Sequence, residues 1–250
     1  MNNNNYKYIL LSVLFIILLW TVSSLIIDNS LVLPGISEVI LSLKEILSTS
    51  TTYLIILLTI VRLILVVLVS LVIAFILAIL SYLSDKFESF IKPLFVILKT
   101  IPVIAIIVLL LITFGSKTSP YIMTSLVVLP IMYEGLLTSL KNINKELIDD
   151  VKTLSNTNWM VLKDFYFPII LNFIMMTLVQ SFGIGLKVMV MGEFIAQPNR
   201  SIGYILQLER SNLNSSAILA WSVILIILVL LFEILVLKLS ERFKKTKSSS

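Results

Sequence analysis

The chain of 250 residues is 58% apolar and 13% charged, with a mean hydropathy of +1.07. A soluble domain carries about a quarter charged residues, so this composition excludes an ordinary soluble enzyme or nucleic-acid binder and indicates a membrane protein. The net charge is +5, and the absence of His and Cys rules out disulfides, His-ligated zinc or haem, and Ser-His or Cys-His nucleophile pairs.

A helix needs about 20 apolar residues to cross roughly 30 Å of hydrocarbon. Six stretches qualify: about 8–27, 53–83, 94–114, 120–140, 169–192 and 217–238. They make residues 1–250 a single all-α transmembrane domain. The first is read as a retained helix rather than a signal peptide, because its apolar run is too long and Val22-Ser23-Ser24 is a poor cleavage site. Residues 28–52 begin with a turn at Pro34-Gly35 and continue as a surface helix, with Val39, Ile40, Leu43, Ile46 and Leu47 at helical spacing. Ser70, Ala74 and Ala78 place a small residue every fourth position in the second span, and Ser181 and Gly185 do so in the fifth. Such stripes let helices approach closely in lipid. The polar stretch Gly115–Ser119 suits a tight hairpin between the third and fourth spans. Pro102 and Pro120 mark helix kinks or starts, and Pro130 a kink. After the fifth span, Pro198-Asn199-Arg200 and Gly203 form a turn that leads into a short polar segment. The Asn2–Asn5 run and the Ser248–Ser250 tail are expected to be disordered ends.

Orientation follows from the basic residues. Lys7, Lys86, Lys92, Lys141, Lys145, Lys152, Lys163, Lys238, Arg242, Lys244, Lys245 and Lys247 fall on one side, and only Lys44, Lys117, Arg200 and Arg210 on the other. The richer side is cytoplasmic by the positive-inside rule, which puts both termini and the 141–168 connection there. Five ionisable residues stand out within or at the ends of spans: Arg62, Lys99, Glu134, Lys187 and Glu193, of which Lys99 and Glu193 are near enough to span ends to reach water. Charge in lipid is costly, so each is a candidate lining of a polar path. The alternative is that they pair with one another at helix or subunit contacts. Lys187 is evenly poised between the two.

The longest polar interruption is 141–168, KNINKELIDDVKTLSNTNWMVLKDFYFP. Leu147, Val151 and Leu154 recur at i, i+4 and i+7, an apolar stripe able to fill a groove on a partner, with Asp149, Asp150 and Lys152 beside it as rim charges. Trp159 is a bulky anchor. The same pattern also suits a helix lying on the membrane surface, with Trp159 at the interface. From residue physics alone, both readings stand.

Asp149, Asp150, Val151, Lys152, Thr153, Leu154 and Ser155, followed by Trp159 and Phe167-Pro168, resemble the cytoplasmic EAA loop of ABC-transporter permease subunits. The likeness extends in order along the chain. Leu33-Pro34-Gly35-Ile36-Ser37-Glu38-Val39, Thr59-Ile60-Val61-Arg62, Pro93-Leu94, Lys99-Thr100-Ile101-Pro102 and Gly192-Glu193 resemble motifs of binding-protein-dependent importers of the nitrate, sulfonate and taurine type. Departures are Ser155 where the loop has Gly, and Asp150 and Val151 where it has small residues. The resemblance implies a type I ABC importer fold of six transmembrane helices with a cytoplasmic coupling helix, in the bacterial cytoplasmic membrane. It implies a homodimer, two ATPase subunits and an extracytoplasmic solute-binding protein. The coupling residues would be Leu147, Asp149, Asp150, Val151, Lys152, Leu154, Ser155 and Trp159. The solute would be a small anion or a vitamin precursor.

Gly115-Ser116-Lys117-Thr118 lacks the upstream glycine and the Gly-Lys step of a phosphate loop, so ATP is expected to be handled by the partner, with no cofactor or metal on this chain. A secondary transporter is disfavoured because paired midplane carboxylates and an inverted repeat are missing. A coupling subunit of an energy-coupling-factor transporter is disfavoured because its Ala-Arg-Gly motifs are missing. An enzyme is the weakest reading.

Overall fold

The computed structural model describes residues 3–142 and 167–248. They form eight helices: α1 (Asn3–Ile27), α2 (Ile36–Ser48), α3 (Ser50–Leu83), α4 (Asp85–Thr100), α5 (Val103–Lys141), α6 (Phe167–Ala196), α7 (Ile202–Ser211) and α8 (Ser215–Ser248). Helices are the expected solution in lipid, where each backbone N–H and C=O must be paired within its own segment. Helix α1 takes in Asn3–Asn5 and α8 runs through Ser248, so these polar ends continue the adjoining helices where disorder was expected.

Among the described residues, five helices are long and apolar enough to cross a membrane. The difference from the six expected stretches lies in 94–114 and 120–140. The third stretch is not one helix: Leu94–Thr100 ends α4, Ile101-Pro102 breaks the chain, and α5 restarts at Val103. Pro102 caps α5 with a non-helical backbone, and proline also forces the residue before it out of the helical region. Helix α5 then kinks at Gly115, whose φ of 72° is left-handed and accessible at little cost only to glycine. A straight helix would separate Val103 from Glu134 by about 46 Å. Yet Lys99 Nζ lies 2.6 Å from Glu134 Oε2, and Lys141 Nζ reaches Glu88 Oε2 at 2.6 Å. The chain therefore reverses at Gly115, and α4 with the first limb of α5 runs back along the second limb. The hairpin expected at 115–119 is present, but one residue makes it, and Ser116–Ser119 are already helical.

The core lies where α3, the second limb of α5, and α6 meet. Leu63, Val128, Met132 and Met189 are wholly buried there, with Phe182 and Leu186 almost so. The small-residue stripe explains the close approach: Ser70, Ala74, Ala78 and Ser81 are all fully buried on α3. Two of them also bond across to α5, Ser70 to Ser125 at 3.2 Å and Ser81 to the Tyr133 hydroxyl at 2.8 Å. Helix α8 closes the other side of α6 through the stacked rings of Phe182 and Phe232, 3.5 Å apart. Helix α1 is different. Its span is unburied, and it is tied to the α1–α2 connection by Trp20 Nε1 to the Pro34 carbonyl at 3.0 Å and Ser24 Oγ to the Leu33 carbonyl at 3.2 Å.

Candidate functional site

Among the described residues, the densest buried polar cluster is built around Glu193, near the end of α6. Its side chain is wholly buried, which corrects the expectation that it reaches water. Arg62 Nη1 donates to Oε1 at 2.9 Å. The Thr59 hydroxyl lies 3.1 Å from both carboxylate oxygens, and the Gly203 N–H donates to Oε2 at 3.3 Å. Thr59 and Arg62 are three residues apart on α3, so they project from one helix face. Thr59 Oγ1 also accepts the Ile202 N–H at 3.2 Å. A buried carboxylate survives only when paired and hydrogen-bonded, and here both requirements are met by donors from two other helices, α3 and α7.

The segment after α6 is shaped to reach this carboxylate. Gln197 and Arg200 both take left-handed conformations (φ 52° and 55°) around Pro198-Asn199 and turn the chain back. Ser201 then caps α7, its Oγ accepting the Tyr204 N–H at 3.2 Å. Gly203 is required for contact: a Cβ there would lie 2.3 Å from the Phe194 nitrogen and 2.5 Å from the Val190 oxygen. The polar segment expected after this turn is thus a ten-residue helix docked on the end of α6.

Beside the cluster opens a pocket of about 170 Å³, lined by Arg62, Lys117, Pro120, Tyr121, Glu193, Pro198 and Asn199. Arg62 remains partly exposed (17% for its side chain), and its Nη2 lies 3.4 Å from the Asn199 carbonyl. Lys117 is exposed and comes from the hairpin tip, two residues past Gly115. The structure brings Arg62 and Glu193 together. It does not bring them to Lys187 or Glu134. Glu134 pairs instead with Lys99, both about half exposed. Lys187 is exposed on α6, in a groove of about 200 Å³ whose other walls are Leu186, Leu225, Ile226, Val229 and Leu230.

Four residues carried little signal of their own in the sequence. Thr59 was visible only as part of a motif, although its spacing from Arg62 was a usable signal. Lys117 and Tyr121 could not be connected with Arg62 without the fold. Glu233, half-buried on α8, was hidden inside a long apolar run. It lies on the same stripe as Ile226 and Val229, seven and four residues before it.

The expected coupling residues Leu147, Asp149, Asp150, Val151, Lys152, Leu154, Ser155 and Trp159 lie outside the described residues. The loop is nevertheless bracketed by α5 and α6, and it falls inside the region of a family match. Residues 70–245 match the family described as binding-protein-dependent transport system inner membrane component. The chain belongs to this family. It is a multi-pass permease of the ABC-importer type, with the all-helical type I fold. A component of such a system works with ATPase subunits and a solute-binding protein. No curated protein matches the chain.

Proposed function

We propose that this permease is one of two identical subunits that form a path for a small solute, a nitrate-, sulfonate- or taurine-like anion or a vitamin precursor, handed over by the binding protein. The observation that carries this reading is the family match over 70–245, which contains the whole 141–168 loop and the helices on both sides of it. The charge asymmetry supports a cytoplasmic loop and cytoplasmic termini. In this arrangement Leu147, Val151 and Leu154 fill a groove on the ATPase, Asp149, Asp150 and Lys152 set the register, Ser155 turns the chain, and Trp159 anchors it. ATP binds to the partner, and this chain carries no cofactor and performs no covalent chemistry.

The path runs along the subunit contact. Lys187 supports this placement, because it stands exposed on α6 midway along the span. A lysine facing lipid at that depth costs about 2.5–3.5 kcal/mol on insertion scales, so a second subunit or water covers its groove. Glu134 with Lys99 lines the inner part of the path, and Arg62 with Glu193 braces its outer end.

The decisive experiment is Leu154→Asp. A charge placed in a desolvated docking groove costs several kcal/mol, whereas insertion into the membrane is untouched. The expected outcome is a normal amount of permease in the membrane, ATPase subunits lost on co-purification, and no uptake. Asn144→Asp, ahead of the stripe, should leave all three unchanged. Retention of the ATPase and of full ATP-dependent uptake by Leu154→Asp would replace the coupling helix with a surface helix.

A further inference from the structure

We propose that the pocket between Arg62, Lys117, Tyr121 and the Pro198-Asn199 turn is a binding site for a small oxyanion. Four observations carry this. The pocket holds about 170 Å³, close to the roughly 150 Å³ of a cavity that admits benzene, so its guest is a small solute. Its lining contains two cations and one carboxylate, a net charge of +1, and Arg200 adds another positive charge on the adjoining turn.

The carboxylate does not compete for the guest. Both Glu193 oxygens are taken by Arg62, Thr59 and the Gly203 N–H, and the side chain is wholly buried. Glu193 therefore holds the guanidinium in place and offers the pocket no acceptor. What the pocket presents is donors. Arg62 has five N–H groups in a planar fork and commits Nη1 to Glu193 and Nη2 to the Asn199 carbonyl, with the side chain still partly exposed. The Lys117 ammonium has no ion-pair partner among the described residues, and Tyr121 adds a phenol. Charge-assisted N–H donors held on two separate helices, α3 and α5, suit a carboxylate, sulfonate, sulfate or phosphate group.

The site lies at the end of the bundle marked by the hairpin tip and the α6–α7 turn, which the basic-residue bias makes extracytoplasmic. Its use as a waypoint for an arriving solute rests on the importer reading; its chemistry does not. A lipid headgroup offers the same oxyanion as a free solute, so the test separates the two.

The chain contains no cysteine, so Asn199→Cys provides a single reporter in the pocket wall. The full-length permease is labelled with a neutral maleimide in uncharged detergent, in sodium sulfate or in sodium chloride of equal ionic strength. Sulfate should slow labelling at least fivefold. Adding Lys117→Gln should restore the chloride rate, and Lys117→Arg should keep the protection. Equal rates in the two salts, or protection that survives Lys117→Gln, overturn the proposal. Because the cysteine alters the turn, the unsubstituted chain is measured alongside: sulfate should raise its thermal midpoint, and Lys117→Gln should abolish the rise. No rise counts against the site. Slow labelling in phosphatidylglycerol nanodiscs without sulfate, reversed by Lys117→Gln, supports the same site with a headgroup as its occupant. If uptake and ATPase co-purification are normal while sulfate changes nothing, the anion site fails and the importer reading stands.

Discussion

Two charged groups on α6, Glu193 and Lys187, lie six residues apart and meet opposite surroundings. Glu193 is wholly buried, and its donors come from α3 and α7. Lys187 stands on the outer face of the bundle among aliphatic side chains. The same helix thus carries one charge satisfied by donors on two other helices and another with no ion-pair partner among the described residues. The first belongs to the architecture of the subunit. On the proposed reading, the second belongs to whatever completes the transporter.

The contrast breaks most severely at Glu193. Glu193→Leu removes the counter-charge of Arg62 and strands the Thr59 hydroxyl and the Gly203 N–H. Removing one partner of a buried ion pair costs about 3–5 kcal/mol, and the expected result is a large loss of thermal stability in detergent. A double variant with Arg62→Met should recover part of that loss, since no unpaired charge remains. If Glu193→Leu melts with the unsubstituted chain, the cluster does not brace α3 against α6 and α7.

Gly203→Ala should come next. Its Cβ would collide with backbone of α6, which cannot swing aside as a side chain can. Overpacking of this kind costs about 1–3 kcal/mol. The measurement is proteolysis of the α6–α7 turn, which should become faster as α7 lifts. An unchanged rate would mean that the close approach is easily relieved.

Lys187→Leu sharpens the comparison from the other side. Among the described residues this ammonium makes no hydrogen bond or ion pair, so stability and assembly should hold while the rate of uptake changes. If uptake and assembly are both normal, the lysine merely extends its ammonium toward the interface and has no part in the path. The smallest effect is expected from Lys99→Met. Its ion pair with Glu134 is about half exposed, and exposed pairs contribute roughly 0–1 kcal/mol. A shift in melting temperature beyond a few degrees would show that the subunit relies on this pair to hold the hairpin.

Much of this was legible in the chain itself. The apolar runs, the helix at 36–48, and the every-fourth spacing of Ser70, Ala74 and Ala78 follow from helical geometry and the thickness of a bilayer, both of which act on local sequence. The break at Ile101-Pro102 was visible as a proline, but hydropathy averaged over a window smoothed it into a span. Hydropathy also concealed Glu233, because one carboxylate hardly lowers the mean of a long apolar run.

The partners of the charges were another matter. Arg62 and Glu193 are 131 residues apart, and Lys99 and Glu134 are 35 apart. No periodicity within a helix relates such positions. The first pair exists because small residues let α3 and α6 pack against the second limb of α5, and because Gly203 brings the start of α7 onto the end of α6. The second exists because Gly115 folds α5 back on itself. Sequence alone determined that the chain spans a membrane, where its long apolar runs lie, and which charges would be costly there, since those depend on each residue and its near neighbours. Only the tertiary structure decided which charges are neutralised within the subunit and which remain exposed, because that depends on side chains meeting across helices that the chain order keeps apart.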